Sequence, residues 1–254
     1  MLRAILVTLF GLPLVIAASG CDTCPDTAPD NGGVLLAPMG NCSQSMSKYE
    51  SSDYVPAYAD WSPSKNVTVR NHYGPVQIEM GGMEQGPRVH VSVVSFTYAL
   101  WEEDALRRLR ANDAALLQSF PFAHVDQQGD TVIDVTTNGE IGYSARVGLP
   151  IGFDGALTVT ADRGDIEYWD WGGSSGAASN QLHSDGGDVL AMLSRRANLT
   201  IQAVADQGVV TFSSAFMVTA ISPDKTRGSA LLGNGAVPLE ISTSHGDITF
   251  KLLN

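Results

Sequence analysis

The stretch Gly172-Gly173-Ser174-Ser175-Gly176 has the G-x-S-x-G spacing of a nucleophile elbow, where a serine Oγ is exposed on a sharp strand-to-helix turn. Such a serine needs a histidine as base and an acid to orient it. His245 and Asp206 are the candidates, but nothing in the sequence links them to Ser174. The match also falls in a Gly/Ser run, where it arises by chance, so no catalytic residue is assigned. Just before it stand Tyr168, Trp169 and Trp171. Strand alternation turns Tyr168 inward and both tryptophans to the opposite face. An exposed tryptophan offers an apolar ring and one N–H, which suits stacking on sugars; the alternative is packing under the adjoining loop or against a helix. Asp162, Asp165, Asp185, Asp188 and Asp247 could offer oxygen ligands to calcium. They lack the G-G-x-G-x-D nonapeptide of calcium-stapled rolls, and solvated turn residues are the better reading. The histidines at 72, 90, 124, 183 and 245 show no H-x-H or H-x-x-x-H spacing. Neither metal nor cofactor is expected.

These residues need a frame, and a repeat supplies it. Five segments align on Gly74, Gly139, Gly164, Gly208 and Gly246. Seven residues before the glycine stand Val67, Val132, Leu157, Ile201 and Leu239; two after it stand Val76, Ile141, Ile166, Val210 and Ile248; four after it stand Ile78, Tyr143, Tyr168, Phe212 and Phe250. A degenerate copy centres on Gly187, with Val189 and Ala191 behind it. Apolar residues two apart bury one face of a strand, and a glycine lets the chain turn at positive φ. Each copy is therefore strand, tight turn, strand. Spacings of 25, 23 and 21 residues from Gly139 to Gly208 suggest coils that bury their apolar faces by stacking on one another. The gap of 38 to Gly246 implies an insertion or a skipped turn. The expected fold is mainly β, a right-handed parallel β-helix-like solenoid over residues 63 to 254. A β-sandwich of hairpins is the alternative.

One helix interrupts the pattern, over residues 101 to 118. Trp101, Ala105, Leu109 and Leu116 share a face, Glu103–Arg107 and Asp104–Arg108 form i,i+4 pairs, and Pro121 stops it. It is expected to cap the open end of the β stack. Residues 21 to 62, rich in Pro, Asp, Ser, Asn and Gly, read as a surface tether. Residues 1 to 20 read as a signal peptide: Arg3, then an uncharged stretch from Ala4 to Ala18, shorter than the about 20 residues a spanning helix needs.

Ala18-Ser19-Gly20-Cys21 resembles the bacterial lipobox, although Ala18 stands where Leu, Val or Ile is usual. The resemblance implies lipidation at Cys21 and a membrane-anchored lipoprotein of the cell envelope; plain cleavage would leave a soluble secreted or periplasmic protein. With Cys21 lipidated, Cys24 and Cys42 remain as a candidate disulfide, or as two free or separately paired thiols. Three clustered cysteines without a nearby histidine argue against zinc.

A net charge of -12 without a basic stripe excludes nucleic acid as an expected partner. With 44% hydrophobic and 17% charged residues, the chain can build a packed core. The segments TADRGDIEY and ISTSHGDITFKL resemble the serial S-x-x-G-D-I turns of the bacterial adhesin family known as domain of unknown function 4097. The insert from Arg88 to Val135 is similar to that family's N-terminal part, while Gly172 to Gly187 departs from its pattern. The resemblance implies a parallel β-helix-like fold and supplies no catalytic residue. The expectation is an exported, non-catalytic adhesion or scaffold module whose ligand, glycan or protein, is not named by the sequence. A carbohydrate-active β-helix enzyme is the alternative, and a third is an assembly or envelope-stress factor that binds proteins at its β edges.

Overall fold

Inward-facing side chains recur at every second residue, and the strands pair accordingly. A computed structural model describes residues 46–60, 65–81, 88–137, 139–172 and 178–253. The signal segment, Cys21, Cys24, Cys42 and Ser174 lie outside the described residues.

Six strand–turn–strand units are described. They are β3 (Val67–Asn71) with β4 (Val76–Met80), β7 (Thr131–Val135) with β8 (Ile141–Leu149), and β9 (Leu157–Ala161) with β10 (Ile166–Asp170). The others are β11 (Asn180–Ser184) with β12 (Val189–Leu193), β13 (Leu199–Ala205) with β14 (Val210–Phe212), and β17 (Val237–Thr243) with β18 (Ile248–Leu252). The two strands of a unit do not pair with each other. The second strands lie in sheet I, in the order β8-β4-β10-β12-β18-β14, and the first strands in sheet II, in the order β13-β17-β11-β9-β3-β7. Every one of these pairings is parallel. The fold is thus mainly β, with two nine-stranded mixed sheets and one helix among the described residues.

The antiparallel strands lie at the ends. β5 (Arg88–Ala99) flanks β8, and on its far edge run β1 (Ser47–Glu50) and β2 (Val55–Asp60). Ser47–Glu50 and Val55–Asp60 are therefore strands of sheet I, not parts of the expected tether. β6 (Ala123–Val125) edges β7, while β15 (Met217–Ile221) and β16 (Arg227–Leu232) extend sheet II beyond β13.

Parallel register stacks equivalent residues. Val67, Leu157, Asn180, Leu239 and Ile201 form one row, and Val76, Ile166, Val189, Ile248 and Val210 another. All ten are buried. The degenerate copy around Gly187 is a full unit, with Asn180 where its neighbours carry an aliphatic residue.

Two features depart from an evenly repeated stack. The units do not stack in chain order: β7–β8 lies outside β3–β4, and β17–β18 slots between β11–β12 and β13–β14. Each displaced unit follows a long excursion, the helical insert in one case and the β15–β16 hairpin in the other, which carries the chain past its neighbour. The copy aligned on Gly139 is also misregistered. Val67 pairs with Thr131 and Val76 with Ala145, so Ile133 and Val135 point inward and Val132 does not. The link from Val135 to Ala145 is longer than that from Asn71 to Val76, so one spacing cannot fit both units.

The helix α1 (Glu102–Gln118) packs on the inward side of β5 through Ala105, Leu109 and Leu116. Ser95 Oγ donates to Asp113 Oδ1 at 2.6 Å, and Tyr143 Oη donates to Asn112 Oδ1 at 2.9 Å. Trp101 is not on the apolar face: it is the N-cap and half exposed. The expected i,i+4 pairs give way to an i,i+3 pair, Arg107 with Asp104, and a tertiary pair, Arg108 with Glu140.

Tyr168 lies fully inside, as alternation requires, but its hydroxyl has no hydrogen-bond partner among the described residues. Burial, with Asp170 second, holds its pKa well above the ordinary value of 10. Tyr168→Phe should therefore leave thermal stability unchanged or raise it by about 1 kcal/mol, since it removes an unpaired buried polar group. The same shift has a pH consequence. Above about pH 10 the unfolded chain releases the phenolic proton while the folded chain keeps it, so stability falls by about 1.4 kcal/mol per pH unit for each such tyrosine. Tyr143 and Tyr98, raised chiefly by burial, act in the same direction. Urea titrations at pH 9 and 11 should show a shallower loss in the Tyr168→Phe protein; an equal loss would contradict this.

Candidate functional site

The bends stack as closely as the strands. A Cβ built on Gly164 would lie 2.2 Å from Gly74 O, one on Gly187 2.4 Å from Gly164 O, one on Gly246 2.4 Å from Gly187 O, and one on Gly208 1.9 Å from Gly246 O. Gly139 is not in this column; its place is taken by Tyr143, whose carbonyl oxygen sits 2.3 Å from a Cβ on Gly74. The aspartate after the glycine serves the same column. Asp165 Oδ1 accepts from Asp188 N at 2.8 Å, Asp188 Oδ1 from Asp247 N at 2.8 Å, and Asp247 Oδ1 from Val209 N at 2.9 Å. Three residues before the glycine, Ser184 Oγ donates to Gly164 O at 3.0 Å and Thr243 Oγ1 to Gly187 O at 2.9 Å. The S-x-x-G-D spacing is therefore a bend-stacking device. Asp165, Asp188 and Asp247 are structural acceptors, not merely solvated, and no metal-holding cluster occurs among the described residues. Asp162 pairs with Arg70 and His72, and Asp185 with His183. His245 Nδ1 donates to the Asp185 carbonyl at 3.0 Å.

With the bends accounted for, the unexplained polar chemistry lies on the outward face of sheet I. Trp169 and Trp171 sit there with ring centroids 5.9 Å apart and planes at 39°. Trp171 is 46% exposed. Trp169 Nε1 donates at 3.3 Å to Oε2 of Glu167, two residues back on the same face. The register puts Trp169 beside Glu79, and Glu79 beside Gly148, which in turn faces His90. One row along, Glu167, Gln77, Arg146 and Ser92 run in the same direction.

Gly148 has no side chain to fill its slot, so the two rows enclose a cavity of about 230 Å³ lined by Glu79, His90, Ser92, Arg146 and Gly148, with Tyr54 and Pro56 at its rim. Glu79 is 7% exposed, unusually low for an acid on an outward face. Its Oε1 takes Arg146 Nη2 at 2.5 Å and Gln77 Nε2 at 2.9 Å. Burial, then the charge of Arg146, holds His90 below the usual histidine pKa, which keeps it neutral at pH 7. Sequence reasoning singled out the tryptophans but missed this cavity. Gly148 and Glu79 carry no local motif, and only the pairing of β4, β8 and β5 brings them together.

A second hollow, on the outward face of sheet II, is lined by Thr158, Thr160, Gln181, His183, Gln202 and Glu240. It lacks an aromatic wall, and its histidine is engaged by Ser242 and Asp185.

No protein-family model matches the chain, so the resemblance to the 4097 family rests on the short turn motifs alone. No curated protein matches it either. Among solved structures, a "putative cell adhesion protein" from Clostridium sporogenes is similar over 82% of this chain and 100% of its own, with 10% identity and a TM-score of 0.47. A "putative adhesin" from Bacteroides fragilis is similar over 79% and 98%, with 11% identity and a TM-score of 0.22. Both likenesses are loose, and function has to be read from the chain's own residues.

Proposed function

We propose that the chain is an exported, lipid-anchored, non-catalytic adhesion module of the cell envelope, a β-solenoid-type scaffold that binds glycan on the outward face of sheet I. The observation that carries the binding surface is the Trp169–Trp171 pair, with Trp171 46% exposed, on the same face as the cavity lined by Glu79, His90, Ser92 and Arg146. Two tilted rings with adjacent carboxylate and guanidinium groups suit a ligand that is apolar on one face and hydroxylated at its edge. The two congruent parallel ladders support the solenoid reading. The lipobox-like Ala18-Ser19-Gly20-Cys21 supports the anchor, since several acyl chains, at about 0.8 kcal/mol per buried methylene, hold a protein firmly.

Trp169→Ala with Trp171→Ala should abolish retention on an immobilised glycan panel and leave the melting temperature within about 3 °C, as partly exposed residues contribute little to the core. Cys21→Ser should abolish palmitate labelling and release the protein from membranes. Unchanged retention in the tryptophan variant, or unchanged membrane association in the Cys21 variant, would sink the corresponding half of the proposal.

One observation favours the catalytic alternative. Glu79 and Glu167 are diagonal neighbours on the same face of adjacent strands, a placement open to paired carboxylates. Both are already held, one by Arg146 and Gln77 and the other by Trp169. Release of reducing ends from a bound polysaccharide, lost in Glu79→Gln, would establish that reading instead.

A further inference from the structure

We infer that the cavity floored by Gly148 is a subsite for a single neutral sugar ring, gripped through two adjacent hydroxyl groups by Glu79 and Arg146. This rests on the reading that the outward face of sheet I binds glycan, and it names the ligand class and the residues that select it.

The donor and acceptor inventory points that way. Both hydrogen bonds described for Glu79 end on Oε1. Its Oε2 accepts none of the described hydrogen bonds and keeps acceptor capacity for a ligand, because a carboxylate offers several acceptor positions. Arg146 commits one Nη2 donor to Glu79 and carries five N–H groups in a planar fork. A carboxylate oxygen and a guanidinium N–H side by side match a vicinal diol, in which one hydroxyl donates to Oε2 while its neighbour accepts from Arg146. Ser92, 3% exposed and on the cavity wall, adds a hydroxyl that can donate or accept.

Charge decides between neutral and acidic sugars. Arg146 is already neutralised by Glu79, whose side chain is only 9% exposed. An anionic ring would therefore meet a buried carboxylate at short range, with no second cation among the residues that line the cavity. The net charge of -12 adds long-range repulsion of any polyanion.

Size and surroundings set the length of the ligand. About 230 Å³ is below the range of pockets that enclose a drug-sized molecule, roughly 300 Å³ and more, so it suits one ring. Tyr54, 63% exposed, stands at one rim. On the other side Trp169 lies two strands from Gly148, about 10 Å at ordinary strand spacing. A ligand that fills the cavity and also reaches the tryptophans must contain more than one ring. Affinity should therefore rise steeply from monosaccharide to trisaccharide and level off after that.

The test is calorimetric titration of the full chain, in detergent if it is membrane-bound. The probes are oligosaccharides of one to six units from a glucan, a mannan and a galactan, with oligogalacturonate as the acidic counterpart. At least one neutral series should bind, and oligogalacturonate should not. Gly148→Val, which fills the cavity, and Glu79→Gln, which keeps its shape but replaces the acceptor charge, should each weaken binding tenfold or more. Each melting curve is checked, and Glu79→Gln decides the matter if the valine variant does not fold. Neutral binding that is lost in the tryptophan variant yet unaffected by Glu79→Gln would overturn this inference and leave the binding face intact. A preference for oligogalacturonate would overturn the ligand class. No binding by any of the four probes would overturn both.

Discussion

Gly246→Val should lower the melting temperature by about 10 °C or more, from a loss of roughly 3–5 kcal/mol. Two costs add. Gly246 lies at φ 155, where a β-branched residue is strained, and its Cβ would fall 2.4 Å from Gly187 O and 2.7 Å from Gly187 C. Both contact atoms are backbone, held on either side by parallel ladders, so neither can yield cheaply. The two costs can be separated. Gly208 lies outside the left-handed region, yet its Cβ would fall 1.9 Å from Gly246 O. Gly208→Val should therefore be as damaging as Gly246→Val from contact alone. Gly139, at φ 61 with nothing within 4 Å, carries strain alone, and Gly139→Val should cost about 1–3 kcal/mol. A Gly208→Val protein that melts within 2 °C of the parent would show that the bends do not stack as described.

That contrast marks where the sequence was legible. Period-two burial is local, so the inward rows from Leu157, Ile201 and Leu239 could be read directly, and so could the inward placement of Tyr168. The glycines could be read too, but for an incomplete reason. Positive φ explains Gly74, Gly164 and Gly246, whereas Gly187 and Gly208 are excluded from having a side chain by the neighbouring bend, a long-range fact. The same limit explains the error at Gly139. Ile141 and Tyr143 are buried and in phase, so the pattern fits, and only the pairing of Val67 with Thr131 reveals the slip. The bonds accepted by the aspartates after the glycines are not legible in the chain, because the backbone N–H groups that donate to them lie 23 or more residues away in sequence. The cavity beside the tryptophans was hidden for the same cause: β4, β8 and β5 become neighbours only through the displaced unit β7–β8.

Stacking order also predicts the effect of removing the chain's last unit. Ending the chain before Val237 should do more than shorten one end, because β17–β18 is an interior unit. It provides the contact between β11–β12 and β13–β14: β17 pairs with both β11 and β13, and β18 with both β12 and β14. Its loss removes Leu239, Ile241, Ile248 and Phe250, all 2% exposed or less, and with them the stacked Phe212–Phe250 rings 4.6 Å apart. At about 1.5–3 kcal/mol per buried side chain, the four alone contribute on the order of 6–12 kcal/mol, comparable to the whole net stability of an ordinary domain. The segment from Leu199 to Leu232 would keep only its own antiparallel pairings, β13 with β16 and β16 with β15, and hairpin-sized sheets of that kind are marginal in water. Limited proteolysis should then cut the truncated chain between residues 194 and 232, a region resistant in the parent, while the units from β3 to β10 hold out longer because their mutual ladders are intact. Equal resistance of that region in both chains would mean that β13–β14 can dock directly on β11–β12, and that the last unit is an addition to the stack instead of a part of its middle.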